Sequence, residues 1–95
     1  MPAKGNVLVL PAVVTRNEAA ACLRMLVQSL PKESAPTVIV DAAALCHFDS
    51  SALAVLLECR RQLQAVGRTL AVRSMPARLR DLSALYGIAE LLPAE

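Results

Sequence analysis

The chain has very few aromatic residues. Among its 95 residues only 2% are aromatic, namely Phe48 and Tyr86, and tryptophan is absent. Hydrophobic residues nevertheless make up 56% of the chain, so the core has to be built from alanine, leucine and valine. Proteins that bind nucleic acid by stacking its bases need aromatic platforms. The shortage of aromatic residues therefore argues against a nucleic-acid partner.

Glycine, histidine and cysteine are also scarce. Three glycines and one histidine are too few and too scattered for a glycine-rich phosphate loop or a set of metal ligands. The three cysteines are odd in number and lack CxxC spacing, which argues against a disulfide framework or a zinc site. We therefore expect reduced thiols, no metal and no cofactor.

The chain also lacks the pattern of a catalytic site. His47, Asp49 and Ser50 lie within four residues of one another, whereas the members of a catalytic triad normally converge from separate segments. No G-x-S-x-G nucleophile elbow is present. The sequence predicts that this protein is not an enzyme.

Long apolar runs are missing as well. No stretch approaches the ~20 apolar residues of a membrane-spanning helix. The N-terminal apolar run is broken by Pro11 and is not a convincing signal peptide. With a net charge of +2 there is also no strong overall field. We expect a cytoplasmic protein without direct membrane insertion, which a partner would have to hold at any membrane.

Strand-like and helix-like segments alternate along the chain. Residues 7–14, 37–40 and 70–73 are predicted as strands. Pro11 requires an edge position, a bulge or a break in the first strand, and the second is expected to be buried on both faces. Helices are predicted from the Thr15–Glu18 capping box, over residues 50–66 and from Pro76 to Gly87. Val66 and Leu85 are placed on the inner faces of the last two helices. This order predicts one α/β domain over residues 1–95, with a mixed, mostly parallel sheet.

The most informative stretch begins with the strand residues Val38-Ile39-Val40-Asp41 and continues, after a short loop, with Asp49-Ser50-Ser51 at a predicted helix start. One interpretation is plain capping of the helix by these side chains. The other is a displayed hydroxyl that a kinase or a protein partner can reach. The helix start would also suit an oxyanion such as a phosphate. We place the candidate functional centre at Ser50.

A second candidate surface follows on the same helix. Leu53 and Leu57 stand one turn apart, and Arg60 and Arg61 continue that side. A leucine pair beside arginines can form a docking face with an apolar anchor and a charged rim. The same leucines can instead be the edge of a wide core stripe.

Together these motifs resemble a STAS domain, the fold shared by sulfate transporter tails and anti-sigma factor antagonists. The resemblance rests on the strand ending in Asp41, on the DSSAL sequence from Asp49 to Leu53 and on Gly67 before the next strand. It covers residues 37–93 well and residues 7–30 more loosely. It implies about four strands packed with about three helices.

The ending, residues 82–93, is similar to one branch of the family, the small cytosolic STAS subunits of bacterial Mla phospholipid transporters. That similarity implies a subunit that binds and supports the ATPase of an ABC transporter, and through it the permease complex at the inner membrane, in maintaining outer-membrane lipid asymmetry. Ser50 matches the hydroxyl of the family that meets the partner, Asp49 matches the acid before it, and we add Tyr86 to the expected partner face.

The resemblance leaves a second role open. In anti-sigma factor antagonists the position of Ser50 is the phosphoacceptor of a serine kinase, so the same motif fits a phosphorylation switch. Two departures from the family pattern stand out. Ala52 replaces the usual glycine, and the N-terminus is short enough that the first hairpin of the family is expected to be reduced or missing.

Overall fold

Three parallel strands form the central sheet of this protein. The computed structural model describes residues 7–30 and 36–95. Strands β1 (Val7–Val9), β3 (Thr37–Asp41) and β5 (Thr69–Arg73) lie side by side in that order. Two shorter strands, β2 (Val13–Val14) and β4 (His47–Phe48), form a separate parallel pair. Of the edge position, bulge or break expected at Pro11, the structure shows a break, because β1 and β2 lie on either side of this residue.

The sheet buries one face more completely than the other. Val40 is aligned with Leu8 on one side and with Val72 on the other, and all three side chains belong to the main core. In β3 the buried positions alternate with Thr37, which is exposed, and Ile39, which is half-buried. The prediction that this strand is buried on both faces is therefore wrong. Alternation arises because successive side chains point to opposite faces and the core lies on only one of them.

Three helices cover the buried face, and the first is α1 (Ala19–Gln28). The Glu18 carboxylate accepts hydrogen bonds from the Thr15 backbone N–H, at 2.9 Å, and from the Thr15 hydroxyl. This contact confirms the predicted pairing of the two residues, although the regular helix begins only after the turn that they form. The predicted loop at residues 31–36 lies outside the described residues except for Pro36, as do the residues before Val7.

Helix α2 spans Ser51–Gln64 and helix α3 spans Ala77–Leu85. Both end at a glycine in the left-handed conformation, with φ of 75° at Gly67 and 73° at Gly87. At the first, the Arg68 N–H donates to the Leu63 carbonyl at 2.9 Å. At the second, the Ile88 N–H donates to the Ser83 carbonyl at 2.9 Å. Both are Schellman endings, as the sequence predicts.

Two residues assigned to inner helix faces are exposed instead. Val66 is 68% exposed because it lies beyond the last residue of α2. Leu85 is 77% exposed because, at about 100° per residue, it lies about 120° around α3 from the buried Leu79. Leu85 consequently becomes part of the protein surface beside Tyr86.

The C-terminal segment returns to the sheet. A short 3-10 helix (Ala89–Leu91) follows α3, Leu92 is fully buried, and Ala94 forms a parallel bridge to Val72. The structure thus has the predicted α/β architecture, with three helices and a mostly parallel sheet. Across residues 7–30 and 36–95, no helix is both long enough and apolar enough to span a membrane.

Candidate partner-binding site

The candidate site lies between the end of β4 and the start of α2. Strand β4 pairs with β2, with His47 opposite Val13 and Phe48 opposite Val14. This pairing fixes the chain immediately before Asp49. Two residues later α2 begins and inserts Ala52 into the core. The strand pair and the buried helix start therefore hold Asp49 and Ser50 in a defined position.

The Asp49 side chain joins two parts of the fold by hydrogen bonds. Its Oδ1 accepts a hydrogen bond from the Ser51 N–H at 2.8 Å, and its Oδ2 accepts one from the Arg16 N–H at 3.1 Å. The first bond caps α2, and the second ties α2 to the turn that precedes α1. The Ser51 N–H, followed by the Arg16 N–H, lowers the pKa of the Asp49 carboxyl from its ordinary value of 3.8. The start of α2 is thus occupied by the carboxylate of Asp49 and not by an external oxyanion.

Ser50 is left exposed by this arrangement. It is the residue immediately before α2, and its hydroxyl makes no capping hydrogen bond. Both interpretations of the Asp49-Ser50-Ser51 stretch therefore hold, for different residues. Asp49 caps the helix, and Ser50 has the exposed hydroxyl. Ser51 is half-buried and is the first residue of α2.

An open groove of about 450 Å³ lies beside Ser50. Both aromatic side chains of the chain line it, Phe48 from β4 and Tyr86 from the end of α3. Tyr86 is 56% exposed and adjoins the exposed Leu85. Asp49 and Ser50 also line the groove, and α3 contributes Arg78, Asp81 and Leu82. Aromatic residues and arginine are enriched where proteins bind one another.

The docking face expected along α2 does not form as predicted. Leu53 is only 2% exposed and belongs to the core, and Leu57 is half-buried against that core. Of the two interpretations of these leucines, the edge of a wide core stripe is therefore the one that applies to Leu53. Arg61 forms an ion pair with Glu58 one turn earlier. Arg60 instead lines a second, smaller cavity near the C-terminal segment, away from the groove.

The groove contains residues that sequence reasoning missed. Asp81 of α3 was not among the predicted site residues. Arg78 was noted only as one of six arginines between residues 60 and 80, a cluster that is either a solvated face or a contact surface for an acidic partner. Leu82 and Leu85 were assigned to the inner face of α3. The available signal was the aromatic content, since the two aromatic residues of a nearly aromatic-free chain lie 38 positions apart and converge on one surface.

The residues beside Ser50 are not arranged as a catalytic triad. The Asp49 carboxylate accepts hydrogen bonds from two backbone N–H groups, so it does not orient His47 as the acid of a triad would. Cys22 and Cys59 are buried, and burial raises the pKa of the Cys59 thiol to about 11. Thiols of that kind are poor nucleophiles. In the described part of the chain, no group of histidine, cysteine or acidic residues could hold a metal ion.

A comparison with known protein families gives a match over most of the chain. A family model described as "Mlab, STAS domain" matches residues 2–93. The chain belongs to this STAS domain family. The match includes β1 through the C-terminal segment, and therefore both the Ser50 end of α2 and the Tyr86 end of α3. Among curated proteins, none matches the chain. STAS domains are generally non-catalytic, in keeping with a surface built for contact.

Proposed function

We propose that this protein is a non-catalytic STAS subunit of a bacterial ABC transporter of the Mla type, which moves phospholipid and maintains outer-membrane lipid asymmetry. In this role it binds the ATPase subunit and supports its assembly and activity. The ATPase holds it at the cytoplasmic side of the inner membrane. The observation that carries the proposal is the match of nearly the whole chain to a family model that bears the MlaB name.

The groove beside Ser50 supports a protein partner rather than a small ligand. It is an open depression bordered by exposed apolar side chains, Leu85 and Tyr86. Pockets for small molecules are normally concave and enclose most of the ligand. A shallow surface with an aromatic residue, a leucine, an arginine and a free hydroxyl is instead typical of the centre of a protein interface. The ATPase subunit would cover it.

Co-purification with the ATPase subunit of a Mla-type transporter from the same organism tests this function. The wild-type protein is expected to co-purify, and the double variant Leu85→Ala, Tyr86→Ala is expected to lose most of the ATPase. Val66→Ala is the matched control, because Val66 is an equally exposed apolar residue at the opposite end of α2. A wild-type protein that leaves the ATPase in the flow-through would contradict the proposed function.

The exposed Ser50 hydroxyl also favours a second candidate, an anti-sigma factor antagonist switched by serine phosphorylation. A phosphate there would add about two negative charges to the groove without removing a capping bond, because Asp49 provides the cap. Incubation with an anti-sigma factor kinase and ATP, followed by intact mass measurement, separates the two roles. Addition of one phosphate that Ser50→Ala prevents would support this second candidate over the transporter subunit.

A further inference from the structure

Arg78 is the cation of the groove. It lies in the first turn of α3, and its guanidinium carbon is 5.4 Å from the centre of the Phe48 ring. Among the described residues this ring contact is its one recorded interaction, so its charge is not paired there. Arg61 and Arg73, by contrast, each pair with a glutamate. A guanidinium stacked on an aromatic ring keeps its edge free to bind a carboxylate.

No ion pair joins Arg78 to either acidic residue of the groove. Both oxygens of Asp49 already accept backbone N–H groups. Asp81 lies one turn after Arg78 on α3, and no ion pair joins the two. The groove therefore presents the guanidinium of Arg78, without an ion-pair partner among the described residues, and the hydroxyl of Ser50.

The other end of the groove is apolar. Leu85 and Tyr86 follow Arg78 by seven and eight residues on the same helix and its cap. With a rise of 1.5 Å per residue, about 10 Å of helix separates the charged end from the apolar end. A partner segment of matching chemistry carries a carboxylate and a large apolar side chain about 10 Å apart. Residues seven apart on a helix have that spacing and lie on one face of it.

We propose that Arg78 determines the specificity of the groove, by binding an aspartate or glutamate of a partner segment whose large apolar side chain packs on Leu85 and Tyr86. This inference rests on the proposed function, since the partner is taken to be the ATPase subunit. The Ser50 hydroxyl donates a second hydrogen bond to the same carboxylate. Arg78 is held ready for this contact because Phe48, fixed by the β2–β4 pair, supports its guanidinium.

The test is a titration of the purified ATPase subunit against variants of this protein at two salt concentrations. Arg78→Glu is expected to weaken binding by about tenfold or more, and Arg78→Lys less, because lysine keeps the charge but not the planar fork. Arg24→Glu is the matched control, since Arg24 is an exposed arginine on α1, outside the groove. It changes the net charge identically and is expected to shift the Kd less than about twofold.

Two further variants test whether the positive charge of Arg78 attracts a carboxylate of the partner. Asp81→Asn removes from the groove a charge of the same sign as the incoming carboxylate, so binding is expected to become tighter. Reversal of one ATPase carboxylate to arginine is expected to restore binding to Arg78→Glu. Wild-type binding should weaken as salt rises, and the Arg78→Glu complex should not.

Each outcome separates this inference from the proposed function. Tight binding that Arg78→Glu leaves unchanged would overturn the role of Arg78 while the proposed function stands. Equal losses in Arg78→Glu and Arg24→Glu would reduce the effect to net charge and overturn it too. Wild-type protein that does not bind the ATPase removes both proposals. A wild-type dimer in sedimentation that Arg78→Glu dissociates would assign the groove to a second copy of this chain.

Discussion

Asp49 and Ser50 are neighbours in the sequence but have different physical roles. Asp49 uses both carboxylate oxygens to join the start of α2 to the turn before α1. Ser50 contributes no capping bond and is exposed in the groove. Stability is therefore expected to depend on the acid, and binding on the hydroxyl. The two effects can be separated by single substitutions because the residues do not share a hydrogen bond.

We expect Asp49→Ala to lower the thermal unfolding temperature, because the Ser51 and Arg16 N–H groups lose their acceptor. Ser50→Ala is expected to change the free energy of unfolding by much less than the ~1 kcal/mol of a capping hydroxyl. Circular dichroism melts of the two variants and the wild type measure this. Ser50→Ala should nevertheless weaken binding to the ATPase. A melt in which Ser50→Ala is the less stable of the two variants would show that its hydroxyl caps the helix after all.

At the scale of the elements, helix faces decide which leucines are available for contact. Leu53 of α2 packs in the core, whereas Leu85 at the end of α3 is exposed. We expect Leu53→Ala to cost about 2–5 kcal/mol of unfolding free energy, as for other buried leucines. Leu85→Ala is expected to stay within about 0.5 kcal/mol of the wild type. Urea unfolding followed by circular dichroism measures both, and similar losses in the two variants would contradict this assignment of faces.

The sequence predicted the elements better than it predicted their surfaces. Strand and helix order, the break at Pro11 and the endings at Gly67 and Gly87 follow from local rules, since proline lacks an N–H and glycine tolerates positive φ. Leu53 and Leu85 could not be placed in the same way. An apolar helix residue is buried or exposed according to which neighbour covers it, and that depends on how α2 and α3 pack.

The candidate site shows the same division. The position of Ser50 at a helix start could be read from residues 49–53 alone. Arg78 could not be joined to it, because Arg78 is 28 residues further along the chain, on α3, and the two line one groove only in the folded protein. Contacts between residues far apart in sequence depend on the topology of the fold, which a short sequence motif does not predict.

At the scale of the whole molecule, charged contacts close the fold at several points. Asp49 links two helix starts, and Arg73 of β5 binds Glu95, which holds the C-terminal segment beside the strand. Nη1 of Arg73 also lies 4.0 Å from Oδ2 of Asp41, at the end of β3. These contacts are exposed and individually weak. They act together, however, because each requires an ionised carboxylate.

This dependence predicts how stability changes with pH. Hydrogen bonds from their partners lower the pKa of four carboxyl groups below ordinary values of 3.8 for aspartate and 4.5 for glutamate; the four are Asp49, Glu18, Glu58 and Glu95. The folded state thus binds protons less readily than the unfolded state. The resulting stabilisation is present above the ordinary pKa values and is lost as the pH falls through the lowered ones.

We therefore expect the urea midpoint to be nearly constant between about pH 5.5 and pH 8 and to fall steadily below about pH 4.5. Burial raises the pKa of the Cys59 thiol from 9.0 to about 11, so stability should fall again as the pH rises above 9.0. Asp49→Asn retains an acceptor but no titratable charge, so its midpoint should fall less steeply in acid than that of the wild type. Asp81→Asn is the matched control, because Asp81 takes no part in the hydrogen bonds between Asp49 and the Ser51 and Arg16 N–H groups. Its midpoint should follow the wild-type curve. Acid limbs that coincide for Asp49→Asn and the wild type would show that the Asp49 charge does not contribute to the fold.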